Sequence, residues 1–370
     1  MVQEIVFHLG DCKTGTTSVQ SVLAQGAWKT AAGPGAGIVY PTRFNHMPLA
    51  RTLNVAEEAR FETERFARVR EAFDDSDAAH GVISAEHFEF VDPDLVARAI
   101  ERHLKDYQGR IRLIAYVRPH ADRLVSTWAE RVKMGKFLQP LEAMHERLLA
   151  ERTLVYTPRF ERWRALFGPA FTLRPFVRNR LCNGDVVQDF LTWMMPGETV
   201  EIARGSGRNE SLTLEDIAMV RALHQRIRRN GAAGALREAQ QALGWQLGDF
   251  LAALPREGGT RPQLHAALAE QVVAAYAEDA AALDAAFFEG APMSEALAAA
   301  PGKAVAEPQS IEPGAHFGKG ERRMIRLWGD VMTRLMAADP GHFQWAIRQT
   351  EQPEAAPVGK GRRGNRRQGR

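Results

Sequence analysis

Short apolar runs alternate with helical patterns through the first half of the chain. The runs predict strands at residues 4–9, 81–85, 110–117 and 171–175, with helical patterns such as 95–104 between them. Strands that alternate with helices in this way form a parallel sheet. The stretch 113–117 is almost continuously apolar, which is typical of a central strand covered by helices on both faces. The pattern therefore predicts an α/β fold with a mainly parallel central sheet.

The strand signals stop near residue 214, and alanine-rich helical stretches follow. Amphipathic patterns at 234–254, 263–287 and 321–337 predict helices, and the proline- and glycine-rich segment 301–318 predicts a loop. We therefore expect three parts along the chain. These are an α/β core over residues 1–212, a helical extension packed on it over 213–350, and a basic disordered tail over 351–370.

Composition and charge narrow the class of protein. Of 370 residues, 45% are hydrophobic and 25% are charged, as in folded globular proteins. The formal charge is +3, but the segment 359–370 contains six basic residues and no acid, so the remainder carries −3. A nucleic-acid partner is therefore not expected from the body of the chain. Cys12 and Cys182 give no disulfide framework, and neither a signal peptide nor a membrane span is evident, so we expect a cytoplasmic protein.

A candidate anion-binding loop follows the first predicted strand. After Gly10 the chain reads Lys13, Thr14, Gly15, Thr16, Thr17 and Ser18, and apolar positions of a helix come next. Unpaired N–H groups at a helix start, together with threonine hydroxyls and a nearby lysine, can bind a phosphate. The spacing of Gly10 and Gly15 matches the nucleotidase P-loop, but Thr16 occupies the usual lysine position, and the lysine is at 13.

A second anion-binding pair is expected after the strand at 110–117. Arg118 ends this strand, where a metal-dependent ATPase usually has an aspartate that holds magnesium, and Ser126 follows eight residues later on a helix. An arginine can make two charge-assisted hydrogen bonds to a phosphate, and a serine hydroxyl can add a third.

The loop and the Arg118–Ser126 pair together resemble the two nucleotide-binding motifs of bacterial sulfotransferases that use 3′-phosphoadenosine-5′-phosphosulfate (PAPS). The resemblance covers about residues 2–212 and includes the segments 174–176, 183–191 and 209–212. It implies a nucleotide-kinase-like, P-loop sheet with no metal cofactor. Residues 13–18 would bind the phosphosulfate end of PAPS, and Arg118 with Ser126 would bind its 3′-phosphate. Lys13 would also stabilise the leaving phosphate.

The resemblance implies a catalytic base just after the strand at 81–85, where Glu86 and His87 are adjacent. A residue here would accept the proton of the acceptor. Both residues stay open as this base, and Glu86 is preferred because it directly follows the segment 83–85. Two departures from the family pattern are present. Ser18 replaces the aromatic residue that stacks on adenine, and the C-terminal Arg-Lys-Gly motif is absent, with Arg208 as its substitute.

The expected function is transfer of a sulfuryl group from PAPS to a hydroxyl or amine of an acceptor, either a carbohydrate or a small molecule. Two other classes of function remain. One is a kinase-like P-loop nucleotide-binding protein that requires magnesium. The other is a non-enzymatic module that binds polyanions through its basic tail.

Overall fold

The computed structural model describes residues 1–203, 212–231, 233–254 and 258–348. Arg208 and the predicted tail 351–370 lie outside these ranges. The described residues form two compact units. Unit 1 contains residues 1–129, 139–203 and 261–309, and unit 2 contains the described parts of 130–138, 212–260 and 310–348.

The strands form two sheets within the described residues. In chain order they are β1 Glu4–His8, β2 Trp28–Thr30, β3 Gly33–Pro34, β4 Ile38–Val39, β5 His80–Ser84, β6 Ile111–Val117, β7 Phe171–Pro175 and β8 Glu201–Ile202. The larger sheet has the order β4-β5-β1-β6-β7, and every pair in it is parallel. A small antiparallel sheet has the order β3-β2-β8. The four predicted strands correspond to β1, β5, β6 and β7, so the predicted α/β fold with a parallel sheet is confirmed.

Helices account for most of the remaining described residues. In chain order they are α1 Thr16–Gln25, α2 Met47–Arg51, α3 Glu62–Asp74, α4 Pro93–His103, α5 His120–Lys133, α6 Leu141–Ala150, α7 Thr157–Phe167, α8 Val186–Met194, α9 Leu214–Arg229, α10 Ala235–Ala253, α11 Ala266–Phe287, α12 Pro292–Ala298, α13 Pro313–His316, α14 Lys319–Ala338 and α15 Pro340–Arg348. The helices predicted at 95–104, 234–254, 263–287 and 321–337 correspond to α4, α10, α11 and α14.

Both faces of the parallel sheet are covered by helices. On one face, Val6 of β1 and Val82 of β5 belong to an apolar cluster that includes residues of α1 and α8. On the other face, the ring of Phe73 in α3 lies so close to Gly81 that a Cβ there would meet it at 2.8 Å. The side chains at 113–117 of β6 are at most 1% exposed. This arrangement is consistent with a three-layer α/β fold, because a central strand between two helical layers loses nearly all contact with water.

The order of the sheet determines where a ligand is expected. β1 is the central strand, with β5 on one side and β6 on the other, and the chain passes from one side of β1 to the other. In open parallel sheets, ligands bind at the carboxyl ends of the strands at such a reversal. The loop after β1 and the residues after β5 and β6 all lie at this edge. The predicted site residues of all three segments are thus expected to meet.

Two helices beyond residue 260 also belong to unit 1. α11 contacts α6, α7 and α12, and its buried positions include Leu268, Val272 and Tyr276. Asp279 of α11 accepts hydrogen bonds from the backbone N–H groups of Tyr156 (2.8 Å) and Thr157 (3.0 Å), at the start of α7. α11 is therefore joined to the α/β part of unit 1 by buried apolar contacts and by polar contacts at a helix terminus.

Unit 2 is helical in its described residues. Its apolar cluster contains Leu223 and Ile227 of α9, Ala239 and Leu243 of α10, and Met336 of α14. α9 begins with a capping box, in which Thr213 and Asp216 exchange hydrogen bonds between side chain and backbone. Among the described residues, no helix of either unit has the length and apolar character needed to cross a membrane.

Candidate anion-binding site

The loop between β1 and α1 contains three residues in the left-handed backbone region. Gly10 has φ 83°, Lys13 has φ 66° and Gly15 has φ 78°. Such angles favour glycine, and a lysine at positive φ is uncommon. Gly10 is also needed for space, because a Cβ at this position would lie 2.9 Å from Cα of Glu86. The loop is therefore a tight turn in direct contact with Glu86, two residues beyond the end of β5.

Two threonine hydroxyls of the loop donate hydrogen bonds to the backbone of the same loop. Thr14 Oγ1 donates to the carbonyl of Asp11 at 2.6 Å, and Thr16 Oγ1 donates to the same carbonyl at 3.2 Å. Both threonines are buried, whereas Thr17 is exposed. In this conformation an anion would receive hydrogen bonds from the first N–H groups of α1, which have no acceptor within the helix. The Thr16 hydroxyl already donates its hydrogen bond within the loop.

Arg118 and Ser126 lie together beside this loop. Arg118 Nη1 donates to the carbonyl of Lys13 at 3.0 Å and to Ser126 Oγ at 3.2 Å. The guanidinium lies 5.8 Å from the ring centre of Phe176, a residue that also borders Gly15. The two groups of residues that the sequence predicts separately thus meet in one place.

The Arg118 guanidinium is only partly compensated by its protein partners. Its buried Nε has no hydrogen-bond partner among the described residues. Burial lowers the pKa of Arg118, and the charge of Asp122 raises it by a smaller amount. A partly buried cation with an unused donor is favourably placed for an anionic ligand, because such a ligand would supply both charge and acceptor atoms.

One buried ion pair and one partly buried ion pair hold the loop. Glu89 accepts the N–H of Cys12 at 2.9 Å and two hydrogen bonds from Arg123 Nη2, at 2.8 and 3.0 Å. Arg123 also donates to the carbonyl of Cys12. Asp11 receives a two-pronged contact from Arg159, at 2.7 and 2.6 Å. Each half of this network binds a different residue of the loop, so it fixes the backbone that carries Lys13.

The two carboxylates of the network have opposite pKa shifts. Burial raises the pKa of Asp11, and the charge of Glu89 raises it further. The charge of Arg159 lowers this pKa but does not outweigh the rise. Burial also acts to raise the pKa of Glu89, but the charges of Arg123 and Arg159 and the bond from Cys12 outweigh it and lower this pKa to about 2. Both acids are paired with arginines. The described residues contain no group of three or more His, Cys, Asp or Glu positioned to hold a metal ion.

The structure separates the two candidate bases by their neighbours. Glu86 borders the loop, since its Cα faces Gly10 and its carbonyl lies 3.9 Å from Cys12 Sγ. His87 Nε2 instead makes a hydrogen bond with Asn54 Oδ1 at 2.9 Å. Burial lowers the pKa of His87, and the charge of Arg51 lowers it further. Glu86 is therefore the candidate that the fold brings to the loop after β1.

A buried polar cluster lies behind the loop, at the ends of β1 and β5. Ser84 Oγ makes hydrogen bonds with His8 Nδ1 (2.9 Å) and Gln20 Nε2 (3.1 Å), and its N–H donates to His46 Nδ1 (3.2 Å). Burial lowers the pKa of His8 to about 3 and that of His46 to about 4. Both imidazoles are thus neutral at pH 7, and the cluster joins α1 to the strands through uncharged hydrogen bonds.

Comparison with protein-family models, curated proteins and solved structures gave no match for this chain. Its assignment therefore depends on the residues themselves.

The outcome for the predicted residues is uneven. The loop 13–18, Arg118 and Ser126 come together, Glu86 borders them, and Arg208 lies outside the described residues. Sequence reasoning missed the residues that support the loop, which are Asp11, Glu89, Arg123 and Arg159. Two of them carried a signal, because Asp11 is an acid inside the candidate anion-binding loop and Arg123 is a second arginine close after Arg118.

Proposed function

We propose that this chain is a cytoplasmic, PAPS-dependent sulfotransferase that transfers a sulfuryl group to a hydroxyl or amine of an acceptor. One observation carries the proposal. Arg118 hydrogen-bonds both to Ser126 and to the backbone of Lys13, so the two predicted anion-binding groups adjoin each other. A nucleotide with phosphates at both ends of one ribose requires such a pair. A simple nucleoside triphosphate requires only the first.

The residues present fit the donor nucleotide. Residues 13–18 would hold its 5′ end through backbone N–H groups and the Lys13 ammonium, and Arg118 with Ser126 would hold its 3′-phosphate. The unused Nε of Arg118 supports this fit, because a phosphate oxygen would give it an acceptor. When bound, PAPS supplies the activated sulfuryl group. This chain contributes the binding of both ends and the positive charge next to the leaving phosphate.

Glu86 is the proposed base for the proton of the acceptor. The Glu86 backbone lies close to Gly10, and the charge of Glu86 contributes to raising the pKa of the Cys12 thiol in the loop. Removal of a positioned base typically lowers the rate by about 10²- to 10⁴-fold. We expect Glu86→Gln to lower kcat within that range while the affinity for the nucleotide is retained. His87→Asn should change kcat much less, and the reverse ranking would assign the base to His87.

Calorimetry with the product nucleotide, 3′-phosphoadenosine-5′-phosphate (PAP), tests donor binding directly. The folded protein should bind PAP in the presence of a chelator. Arg118→Ala should weaken binding at least about tenfold, since hydrogen bonds to charged groups contribute about 1.5–3 kcal/mol. Arg68→Ala is the matched control, because the Arg68 side chain on α3 is 73% exposed. The proposal fails if PAP does not bind, or if the two arginine variants behave alike.

Two further measurements separate the alternative functions. Magnesium-dependent binding of ATP that exceeds the binding of PAP would support a kinase-like nucleotide-binding protein. Transfer of radiolabelled sulfur from PAPS to a panel of sugars, phenols and amines would identify the acceptor class. In that assay Lys13→Ala should abolish transfer to the acceptor that the unchanged protein uses.

A further inference from the structure

Helix α14 of unit 2 has an exposed apolar face. Met324, Leu327, Trp328 and Leu335 are 49–53% exposed. With the partly buried Val331 they recur at intervals of three and four residues, so they form one continuous row on the helix. We refer to these five residues as the α14 stripe. Apolar side chains scattered singly on a surface are ordinary, but a continuous row of large ones marks an interaction surface.

The α14 stripe is separate from the face by which α14 packs within unit 2. The packing face contains Gly329, Thr333 and Met336, which are buried. At Gly329 a Cβ would lie 2.7 Å from the side chain of Arg226, and Met336 belongs to the apolar cluster of unit 2. On a helix, residues 329, 333 and 336 lie about 150° on average around the axis from the middle of the stripe. The helix is thus already anchored, and the stripe is a second, outward apolar face.

Exposed basic side chains border the α14 stripe. These are Arg323 and Arg334, which lie about 75–95° around the helix axis from the middle of the stripe. The acids of the same helix are both engaged locally, because Glu321 accepts the N–H of Gly318 and Asp330 is paired with Arg226 at 2.7 and 2.9 Å. Only Asp330 is thus neutralised by a cation, so the positive charge lies on the flank of the stripe that carries Arg323 and Arg334. The six basic residues of 359–370 follow in the sequence.

We propose that the α14 stripe docks on the surface of an anionic lipid bilayer. Helices that lie in a membrane interface combine a face of tryptophan and leucine with arginine or lysine alongside it. α14 combines Trp328 and two leucines with two flanking arginines, and Trp345 of the next helix, α15, is also 59% exposed. Anionic headgroups would complement the arginines while the stripe enters the boundary between headgroups and acyl chains. This inference does not depend on the proposed enzymatic function.

Two other occupants fit the surface less well. The segment 349–370 of this chain has Val358, two alanines and two prolines as its apolar residues, which is too few to cover a row of five large side chains. A second copy of the chain would bring the same arginines together, and like charges oppose such a contact. An anionic surface is the one occupant that matches both the apolar and the charged part of the face.

Vesicle sedimentation with the full chain tests the proposal. Vesicles of phosphatidylcholine alone are compared with vesicles in which one quarter of the lipid is phosphatidylglycerol. We expect the chain to bind the anionic vesicles at least about tenfold more tightly, because several basic residues near the surface each add to the attraction. The double variant Leu327→Glu/Leu335→Glu should lose at least about tenfold of that binding, since two apolar side chains become acids.

Leu149→Glu is the matched control, because Leu149 of α6 in unit 1 is 44% exposed. This variant should bind vesicles as the unchanged chain does, and circular dichroism should show that both variants are folded. Binding to neutral and anionic vesicles alike, an equal loss in the control, or no binding would each overturn the proposal. Sedimentation equilibrium could also overturn the proposal, by showing that the unchanged chain is a dimer and the double variant is a monomer.

Discussion

The buried charge of Glu89 offers the sharpest test of what fixes the backbone of the candidate anion-binding loop. Glu89→Gln keeps the size and shape of the side chain but removes its charge. The Arg123 guanidinium would then stay buried at 4% exposure without an ionic partner, and the N–H of Cys12 would lose a charged acceptor. Breaking a buried ion pair by removing one partner costs about 3–5 kcal/mol, because the remaining charge is uncompensated. We therefore expect a loss of that size in the free energy of unfolding.

The pKa of Glu89 leads to a similar magnitude by a separate route. Its fall from an ordinary value of 4.5 to about 2 corresponds to about 3 kcal/mol of stabilisation at neutral pH. Urea unfolding monitored by tryptophan fluorescence measures the change, with Glu64→Gln as the control. Glu64 forms an exposed pair with Arg68, and such pairs contribute only up to about 1 kcal/mol. A loss below about 1 kcal/mol for Glu89→Gln would refute the reasoning, as would equal losses in both variants.

The same residue makes stability depend on pH in a defined direction. Because its pKa in the folded state is below the unfolded value, ionised Glu89 stabilises the fold fully above about pH 4.5. This contribution is lost as the pH falls from about 4.5 to about 2. The unchanged chain should lose stability across that window more steeply than Glu89→Gln does. Parallel acid unfolding curves would show that the charge of Glu89 is not the cause.

Two further substitutions test the geometry of unit 1. Gly10→Ala should destabilise the fold by more than about 2 kcal/mol, because it adds a close contact at 2.9 Å to the cost of φ 83°. Gly109→Ala, at φ 81° with no atom within 4 Å of its Cβ, should incur only the backbone cost, and thermal unfolding compares the two. Asp279→Ala should cost about 3 kcal/mol, because His120 and the N–H of Tyr156 lose a buried acceptor. Asp279→Asn keeps one acceptor oxygen and should cost less, and equal losses in urea unfolding would contradict this ranking.

The strands that could be predicted from the sequence are those with enough residues to show a pattern. β1, β5, β6 and β7 have five to seven residues each, whereas β4 has two. Alternation or an apolar run needs about four residues before it stands out from its surroundings. β4 pairs with β5 through two residues only, and that pairing is set by the tertiary fold. Its absence from the prediction follows from its length.

The residues of the candidate site also differ in whether the sequence could predict that they meet. Arg118 and Ser126 are eight residues apart on a strand end and the next helix, so sequence and local structure alone suggest that they meet. Asp11 and Arg159 are 148 residues apart, and nothing near either residue specifies the other. The residues that could bind an anion are thus encoded locally, while the network that shapes their loop is encoded across the whole of unit 1. A loop grafted without Glu89, Arg123 and Arg159 would keep the motif, but we expect it to lose the backbone geometry through which Lys13 meets Arg118.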